Sequence, residues 1–368
     1  NNDTVAEIRR IYEEIYGTFC DTRNIGWSKL HDYASFLRDQ NDYTNAIEVA
    51  ENLRWYYSAP GSKVDEYELA ELYNLLGLLY EAQNRSEEAE EYYLAAIEIK
   101  ERLVKKNADA YEPYLAMSYN NAGNFYKKQG QSGKAEKYYL AAMEIYERLV
   151  EKNADAYEPA LAASYNGAGV FYKNQGKRDK AEKYYLAAIE IRERLAEKNA
   201  DAYAPDLADS YYRAGDVCDD NLQLNKAKKY YLAAIEIYKQ LVFKTGNEYE
   251  EDFAVTYNNI ANIYKVLCQF GKAKKYYLAA IERYERLVKK NADVYEPELA
   301  TLYYNYYLLK KDKTYLDKAY EIAKRRQDDP RCRDIVEFAE SHKASLFFGK
   351  PRKRERLRRF FRPRNKKR

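Results

Sequence analysis

The sequence predicts an all-α fold in which one pair of antiparallel helices is repeated along most of the chain. The first observation is a five-residue string, Tyr-Tyr-Leu-Ala-Ala, that recurs with a constant spacing of 46 residues. Its five copies begin at Tyr92, Tyr138, Tyr184, Tyr230 and Tyr276. The others are the helical spacing of apolar residues within each copy and the glycine-rich turn signal between two such stretches. A fixed period in this range marks a repeat array, in which each unit buries its apolar face against its neighbours.

The unit centred on residue 130 shows how each helix is predicted. The first helix is indicated by residues at positions i, i+3, i+4 and i+7, namely Tyr119, Ala122, Gly123 and Tyr126. Residues 130–133, Gly-Gln-Ser-Gly, predict a tight turn. The second helix follows from the same spacing in Ala135, Tyr139, Ala142, Met143, Tyr146, Leu149 and Val150. We expect Gly123 and Ala135 where the helices approach closely, and Pro159 in the first turn of the next helix.

This pattern of small and large residues resembles the tetratricopeptide repeat, and most closely its kinesin-light-chain subtype. The resemblance implies a right-handed α-solenoid of about seven helix-turn-helix repeats over residues 27–326. The ends of such an array need capping helices. They are predicted within residues 1–26, at about Thr4 to Tyr16, and within residues 327–348, at about Arg331 to Leu346. The subtype does not imply a motor protein, because similar arrays are common in bacterial scaffold and sensor proteins.

Composition divides the chain into a mildly acidic body and a basic tail. The formal net charge is +3, but residues 349–368 contain twelve Lys or Arg and one Glu. No apolar run is long enough to predict a membrane span. The four cysteines are far apart without a CxxC spacing, which predicts reduced thiols and a cytoplasmic protein. The chain begins at Asn1 rather than at a methionine, so we expect a processed product or a piece of a longer protein.

A polar face lies beside the core face of each predicted first helix, and the resemblance implies that this face lines a concave groove. Asparagine recurs there, and its amide offers both donors and an acceptor to an extended peptide backbone. The candidate partner-binding residues are Asn74, Asn120, Asn124, Lys127, Asn166, Lys173, Tyr212, Asp216, Asn258, Asn262, Lys265 and Tyr304. The two tyrosines are candidate anchors for an apolar side chain. The alternative is that these residues are a solvated face inherited by duplication.

No residue pattern predicts an enzyme, a cofactor or a metal site. The two histidines, His31 and His342, are far apart in the sequence, and no hydrolase or metalloprotease motif is present. The carboxylate clamp of the co-chaperone type is not expected either. The positions that would carry its lysines hold Met117, Ala163, Asp209 and Val255, and only Arg213 supplies a matching charge.

The basic tail is a second candidate binding segment. Leu357, Phe360 and Phe361 lie at i, i+3 and i+4, which favours a short basic amphipathic helix. Its candidate contact residues are Arg352, Lys353, Arg354, Arg356, Arg358 and Arg359. Anionic lipid or nucleic acid phosphates would suit this charge. The alternatives are a disordered solubilising tail and docking on the acidic body of the same or a neighbouring chain.

Three functional hypotheses follow. The first is a non-enzymatic protein–protein interaction scaffold that holds an extended peptide segment of a partner in the groove, with self-association as a further option. The second is the sensor or regulatory arm of a larger signalling or defence protein. The third is a protein that binds nucleic acid or an anionic membrane through its tail.

Overall fold

The computed structural model describes residues 10, 11, 13, 14, 16, 17, 27–58, 65–246 and 248–348. All regular secondary structure in these ranges is helical, and residues 10–17, where described, are helical too. The all-α class and the helix-turn-helix repeat predicted from the sequence are therefore confirmed. The basic tail, residues 349–368, and its six candidate residues lie outside the described part of the chain.

The chain forms two packed units, Asn1–Lys177 and Arg178–Arg368. The first is a stack of helical hairpins in which consecutive helices pack against each other. Its helices are α1 (Trp27–Asp39), α2 (Tyr43–Tyr57), α3 (Glu66–Ala82), α4 (Ser86–Lys106), α5 (Ala108–Lys128), α6 (Ser132–Lys152) and α7 (Ala154–Asn174). The first helices of its repeats are thus α1, α3, α5 and α7.

The second unit continues the same alternation from a second helix onwards. Its helices are α8 (Arg178–Lys198), α9 (Ala200–Asp220), α10 (Leu224–Thr245), α11 (Glu250–Val266), α12 (Phe270–Lys290), α13 (Ala292–Lys310), α14 (Lys313–Arg325) and α15 (Pro330–Phe348). Here the first helices of the repeats are α9, α11 and α13. The helix predicted near Arg331 to Leu346 is α15, which packs against α13 and α14.

Asparagine caps set where most first helices begin. The side chains of Asn107, Asn153, Asn199 and Asn291 each accept a hydrogen bond from the backbone N–H three residues later, which satisfies a donor at the helix start. The helices therefore begin five residues before the proline. Our expectation for Pro159 was wrong by one turn, since it lies inside α7 rather than in its first turn.

Close contact between a glycine and a tyrosine holds the two helices of a repeat together. A Cβ added at Gly215 would lie 2.8 Å from Tyr231 Cδ1, and one added at Gly123 would lie 3.0 Å from Tyr139 Cδ1. Ala135 is fully buried in the same repeat as Gly123. The predicted close approach at Gly123 and Ala135 is confirmed, and the tyrosine rings fill the space that the small residues leave.

A recurrent tyrosine–glutamate bond joins one repeat to the next within each unit. The hydroxyl of a first-helix tyrosine donates to a second-helix glutamate 18 residues earlier. The pairs are Tyr119–Glu101 at 2.7 Å, Tyr165–Glu147 at 2.7 Å, Tyr211–Glu193, and Tyr303–Glu285 at 2.5 Å. The bond is a regular feature of the array, so its absence at a junction is informative.

Candidate interaction surface

The side of the first unit formed by its first helices carries an exposed apolar strip on α5. Tyr114 and Met117 are each 38 % exposed, and they share a helix face with Asn121, Asn124 and Lys128. We call this face, together with Asn120 and Lys127 at its edge, the first-helix surface of α5. It combines apolar anchors at one end with amides and lysines at the other.

Two asparagines of this surface tie neighbouring first helices together. The Nδ2 of Asn120 donates to Ser164 Oγ on α7 at 2.6 Å, and the Nδ2 of Asn121 lies 3.5 Å from Asn74 Oδ1 on α3. Asn74 is 5 % exposed, so it acts within the stack. We call the recurrent asparagines of the first helices, Asn74, Asn120, Asn166 and Asn258, the asparagine ladder. Part of this ladder stabilises the array, which explains why asparagine, a poor helix former, recurs there.

The asparagine ladder also contains amide oxygens that accept no hydrogen bond from the neighbouring helices that the structure describes. The Oδ1 atoms of Asn120 and, in the second unit, Asn258 are buried without a hydrogen-bond partner among the described residues. Buried acceptors are nearly always bonded, so each is a candidate for a bond to water or to a partner.

An asparagine–lysine–tyrosine cluster occurs on the first-helix side of both units. In the first, Asn124 Oδ1 accepts from Tyr139 Oη at 2.6 Å and from Lys127 Nζ at 3.0 Å. In the second, Asn262 Oδ1 accepts from Tyr277 Oη, and Lys265 Nζ lies 5.8 Å from the Tyr277 ring centroid. The tyrosine hydroxyls thus orient the amides.

The charge at the lysine position of this cluster changes from repeat to repeat. Glu81 occupies it on α3, where it accepts from Tyr93 Oη at 2.7 Å and pairs with Lys128 Nζ at 2.5 Å. The next repeats carry Lys127, Lys173, Asp219 and Lys265. Asp216 lies one turn before Asp219 on α9 and is partly exposed. In each unit this position therefore carries charges of both signs rather than a single sign.

The two candidate tyrosine anchors of the second unit pack against other aromatic rings of that unit. Tyr304 is fully buried, and its ring packs edge-on against Phe338 of α15 with centroids 5.1 Å apart. The Tyr212 ring lies 6.0 Å from that of Tyr231, and burial raises the pKa of its hydroxyl well above the usual range. Tyr304 thus fills the core between helices, whereas Tyr212 is partly exposed beside Tyr231, and neither belongs to the first-helix surface of α5.

Burial of Lys265 predicts a pH-dependent stability. Burial, with a smaller contribution from Lys311, lowers the pKa of Lys265 to about 8. At pH 7 the lysine is charged in both states, and its folded charged form is disfavoured. We expect Lys265→Met to raise the free energy of unfolding at pH 7 by on the order of 1 kcal/mol. Between pH 8 and about 10.5 the wild-type lysine loses its proton in the folded state first, so the advantage should shrink.

Chemical denaturation of both proteins from pH 7 to pH 10 checks this expectation. The exposed Lys310 provides the control, because Lys310→Met removes the same charge from the surface and should leave stability nearly unchanged. An advantage of Lys265→Met that is constant over this range would contradict the burial argument.

Sequence reasoning missed Tyr114 and Met117 as surface anchors. Met117 was considered only as a position where a clamp lysine was lacking. The signal was present in the repeat itself, because the residues aligned with Tyr114 at intervals of 46 are Glu68, Ala160, Asp206, Asp252 and Glu298. A large apolar residue at an exposed position of one copy only is a departure that duplication does not explain.

Comparison with known proteins agrees with this geometry. Sequence models of the tetratricopeptide repeat match residues 70–102, 114–194, 208–241 and 253–291, just over half of the chain. The chain belongs to the tetratricopeptide repeat family. Scaffolds of this family are generally protein-interaction modules and typically not enzymes. No helix among the described residues is long and apolar enough to cross a membrane.

The chain is similar to several solved structures at low sequence identity, and TM-scores above 0.5 to two of them indicate a shared fold. The apo form of RapI has a TM-score of 0.62 at 14 % identity, covering 95 % of each chain. BtubC (BKLC) from P. vanneervenii has a TM-score of 0.52 at 23 % identity, covering 65 % of this chain and 91 % of that one. The nearly identical TPR-like repeats of a Podosopora anserina putative kinesin light chain have a TM-score of 0.48 at 16 % identity, covering 58 % and 95 %. No curated protein matches the sequence.

Proposed function

We propose that this tetratricopeptide repeat protein is a scaffold whose first-helix surface of α5 binds an extended segment of a partner protein. The observation that carries the proposal is the exposure of Tyr114 and Met117, which are continuous on one helix face with Asn124. Tyrosine and methionine are enriched where proteins bind one another, because they bury large areas and adapt to the partner.

The polar half of the surface would bind the main chain of that segment. Asn124 Oδ1 already accepts two hydrogen bonds, but its amide nitrogen donates none among the described residues. It can therefore donate to a peptide carbonyl without losing a bond of the folded chain. Lys127, close to the same amide, adds positive charge that favours an acidic side chain in the segment.

The proposal predicts that two substitutions on α5 abolish most of the binding. Tyr114→Asp and Met117→Ala place on α5 residues that two other repeats carry at those positions, Asp206 in one and Ala163 in the other. Both side chains are more than a third exposed, but the Tyr114 ring packs edge-on against Tyr67 of α3 with centroids 4.8 Å apart. We therefore expect a stability loss of about 1 kcal/mol and at least tenfold weaker binding of a partner whose segment they anchor.

A photo-crosslinking residue at position 117, introduced in the native host, identifies the partner and gives the reference affinity. Leu140 on α6 is the matched control, since it is 45 % exposed but lies on a second helix. A crosslinker at position 140 should not capture the same partner, and Leu140→Ala should leave its affinity unchanged. Equal crosslinking from both positions, or full affinity of the α5 double variant, would overturn the proposal.

A further inference from the structure

One junction between consecutive repeats of the second unit lacks the regular tyrosine–glutamate bond. The repeat places Lys239 of α10 where Glu101, Glu147, Glu193 and Glu285 stand at other junctions. A lysine cannot accept the hydrogen bond of Tyr257, the tyrosine 18 residues later. The Tyr257 ring lies instead 5.4 Å from the Arg283 guanidinium.

Four further departures from the repeat occur at the same junction. Gln240 replaces the arginine of the aligned positions, Phe243 replaces a lysine or glutamate, Phe253 replaces a leucine, and Arg283 replaces an isoleucine. Together with Lys239 these residues line one cavity of about 570 Å³, which we call the junction pocket. Its volume is in the range of sites that bind small molecules or single side chains.

The local backbone explains why the cavity is open here. Thr245 stands where Asn107, Asn153, Asn199 and Asn291 cap the next helix, and the following Gly246 has φ +77°. Without the cap, α11 begins at Glu250, four residues later than the repeat predicts. The first turn of the helix is therefore absent after α10, and Phe243 is 90 % exposed.

The pocket combines an apolar wall with charged side chains of both signs. Three cations, Lys239, Lys244 and Arg283, line it together with one carboxylate, Glu236, so positive charge predominates. Phe253 is buried at its base, and the Arg283 guanidinium lies 4.0 Å from the Phe253 ring centroid. Arg283 Nη1 pairs with Glu250 at 2.6 Å, whereas its Nε is buried without a hydrogen-bond partner among the described residues. At the position where other junctions carry a carboxylate, this one presents the ammonium of Lys239, so a carboxylate is the complementary ligand group.

We propose that the junction pocket binds a segment of a partner protein that combines a large apolar side chain with an adjacent Asp or Glu. The apolar side chain packs against Phe243 and Phe253, and the carboxylate pairs with Lys239. This site is formed largely by a second helix, α10, so it is separate from the first-helix surface of α5 and does not depend on it. An exposed aromatic residue beside an apolar cavity fits the anchor-and-pocket pattern of protein recognition.

Selection from a displayed library of random twelve-residue peptides on the full chain tests the proposal, with synthetic copies of the enriched peptides as probes. We expect a consensus of one aromatic or aliphatic residue next to Asp or Glu. Phe243→Lys introduces the lysine that the aligned position 105 carries, and it should weaken binding at least tenfold. Lys239→Glu should do the same, and replacing the peptide acid by lysine should restore binding to that variant.

Glu193→Lys is the matched control, because it places a lysine at a regular junction. It should leave peptide affinity unchanged, and thermal unfolding verifies that every variant is folded. Enriched peptides without an acidic residue, or with affinities unaffected by Phe243→Lys and Lys239→Glu, would overturn the proposal. A library that shows no enrichment would also overturn it. So would a pocket that binds no peptide but binds decanoate, a simple fatty acid, with an affinity that both variants lower.

Discussion

Replacing Glu71 with methionine is expected to lower the free energy of unfolding by about 3 kcal/mol, because it leaves the charge of Lys100 buried without its carboxylate. Lys100 is fully buried on α4, where its Nζ pairs with Glu71 Oε1 at 2.6 Å and donates to Ser118 Oγ at 2.8 Å. Burial lowers the pKa of Lys100 even with Glu71 present. The loss should therefore be largest at neutral pH and shrink as the pH approaches the lysine value of the unfolded chain.

The array supplies the compensating substitution. The next repeat has Tyr146 and Met117 at the positions of Lys100 and Glu71. Glu71→Met combined with Lys100→Tyr should therefore recover most or all of the lost stability, as buried ion pairs exchanged for apolar residues often do. Urea unfolding of the wild type, the two single variants and the double variant measures the coupling. Additive effects would contradict a buried pair.

The second large effect is expected at Gly215, where Gly215→Val should destabilise the second unit by about 2–3 kcal/mol. Even a single Cβ there would lie 2.8 Å from the buried Tyr231 ring, so α9 and α10 must move apart. Gly271→Val is the matched control, because nothing lies within 4 Å of a Cβ at Gly271. It should be neutral or slightly stabilising, since valine is a better helix former than glycine. Thermal unfolding of both variants compares them, and similar losses would contradict the packing explanation.

The fold was predictable because the same packing contacts recur in several repeats, at the same spacing in the sequence. Tyr139 opposite Gly123 and the recurrent Asn caps are visible as constant spacings, and constant spacings become constant contacts in a stack. The start of the first helices was misplaced because the proline was treated as the first turn. The Asn six residues before the proline sets the boundary instead, because its side chain accepts a hydrogen bond from a backbone N–H of the first turn.

The candidate surface was predicted less well for a physical reason. The polar side chains of a helix face can form hydrogen bonds between repeats instead of contacting a partner. Asn120 does so when it donates to Ser164, and sequence spacing does not show this. Tyr304 likewise lies on the predicted face but is covered by α15. The positions on which our two proposals rest, Tyr114, Met117 and Phe243, are those where one copy departs from the other repeats at an exposed site.

Oxidation of the two methionines tests the central claim most directly. Met117 is 38 % exposed on the first-helix surface of α5, whereas Met143 is 4 % exposed in the core and reports on folding. Exposed methionine is oxidised by peroxide much faster than buried methionine. In the non-covalent complex of the wild-type chain with the partner that crosslinking identifies, we predict severalfold slower oxidation of Met117 than in the free chain, with Met143 slow in both. An unchanged Met117 rate in a fully formed complex would show that the partner binds elsewhere.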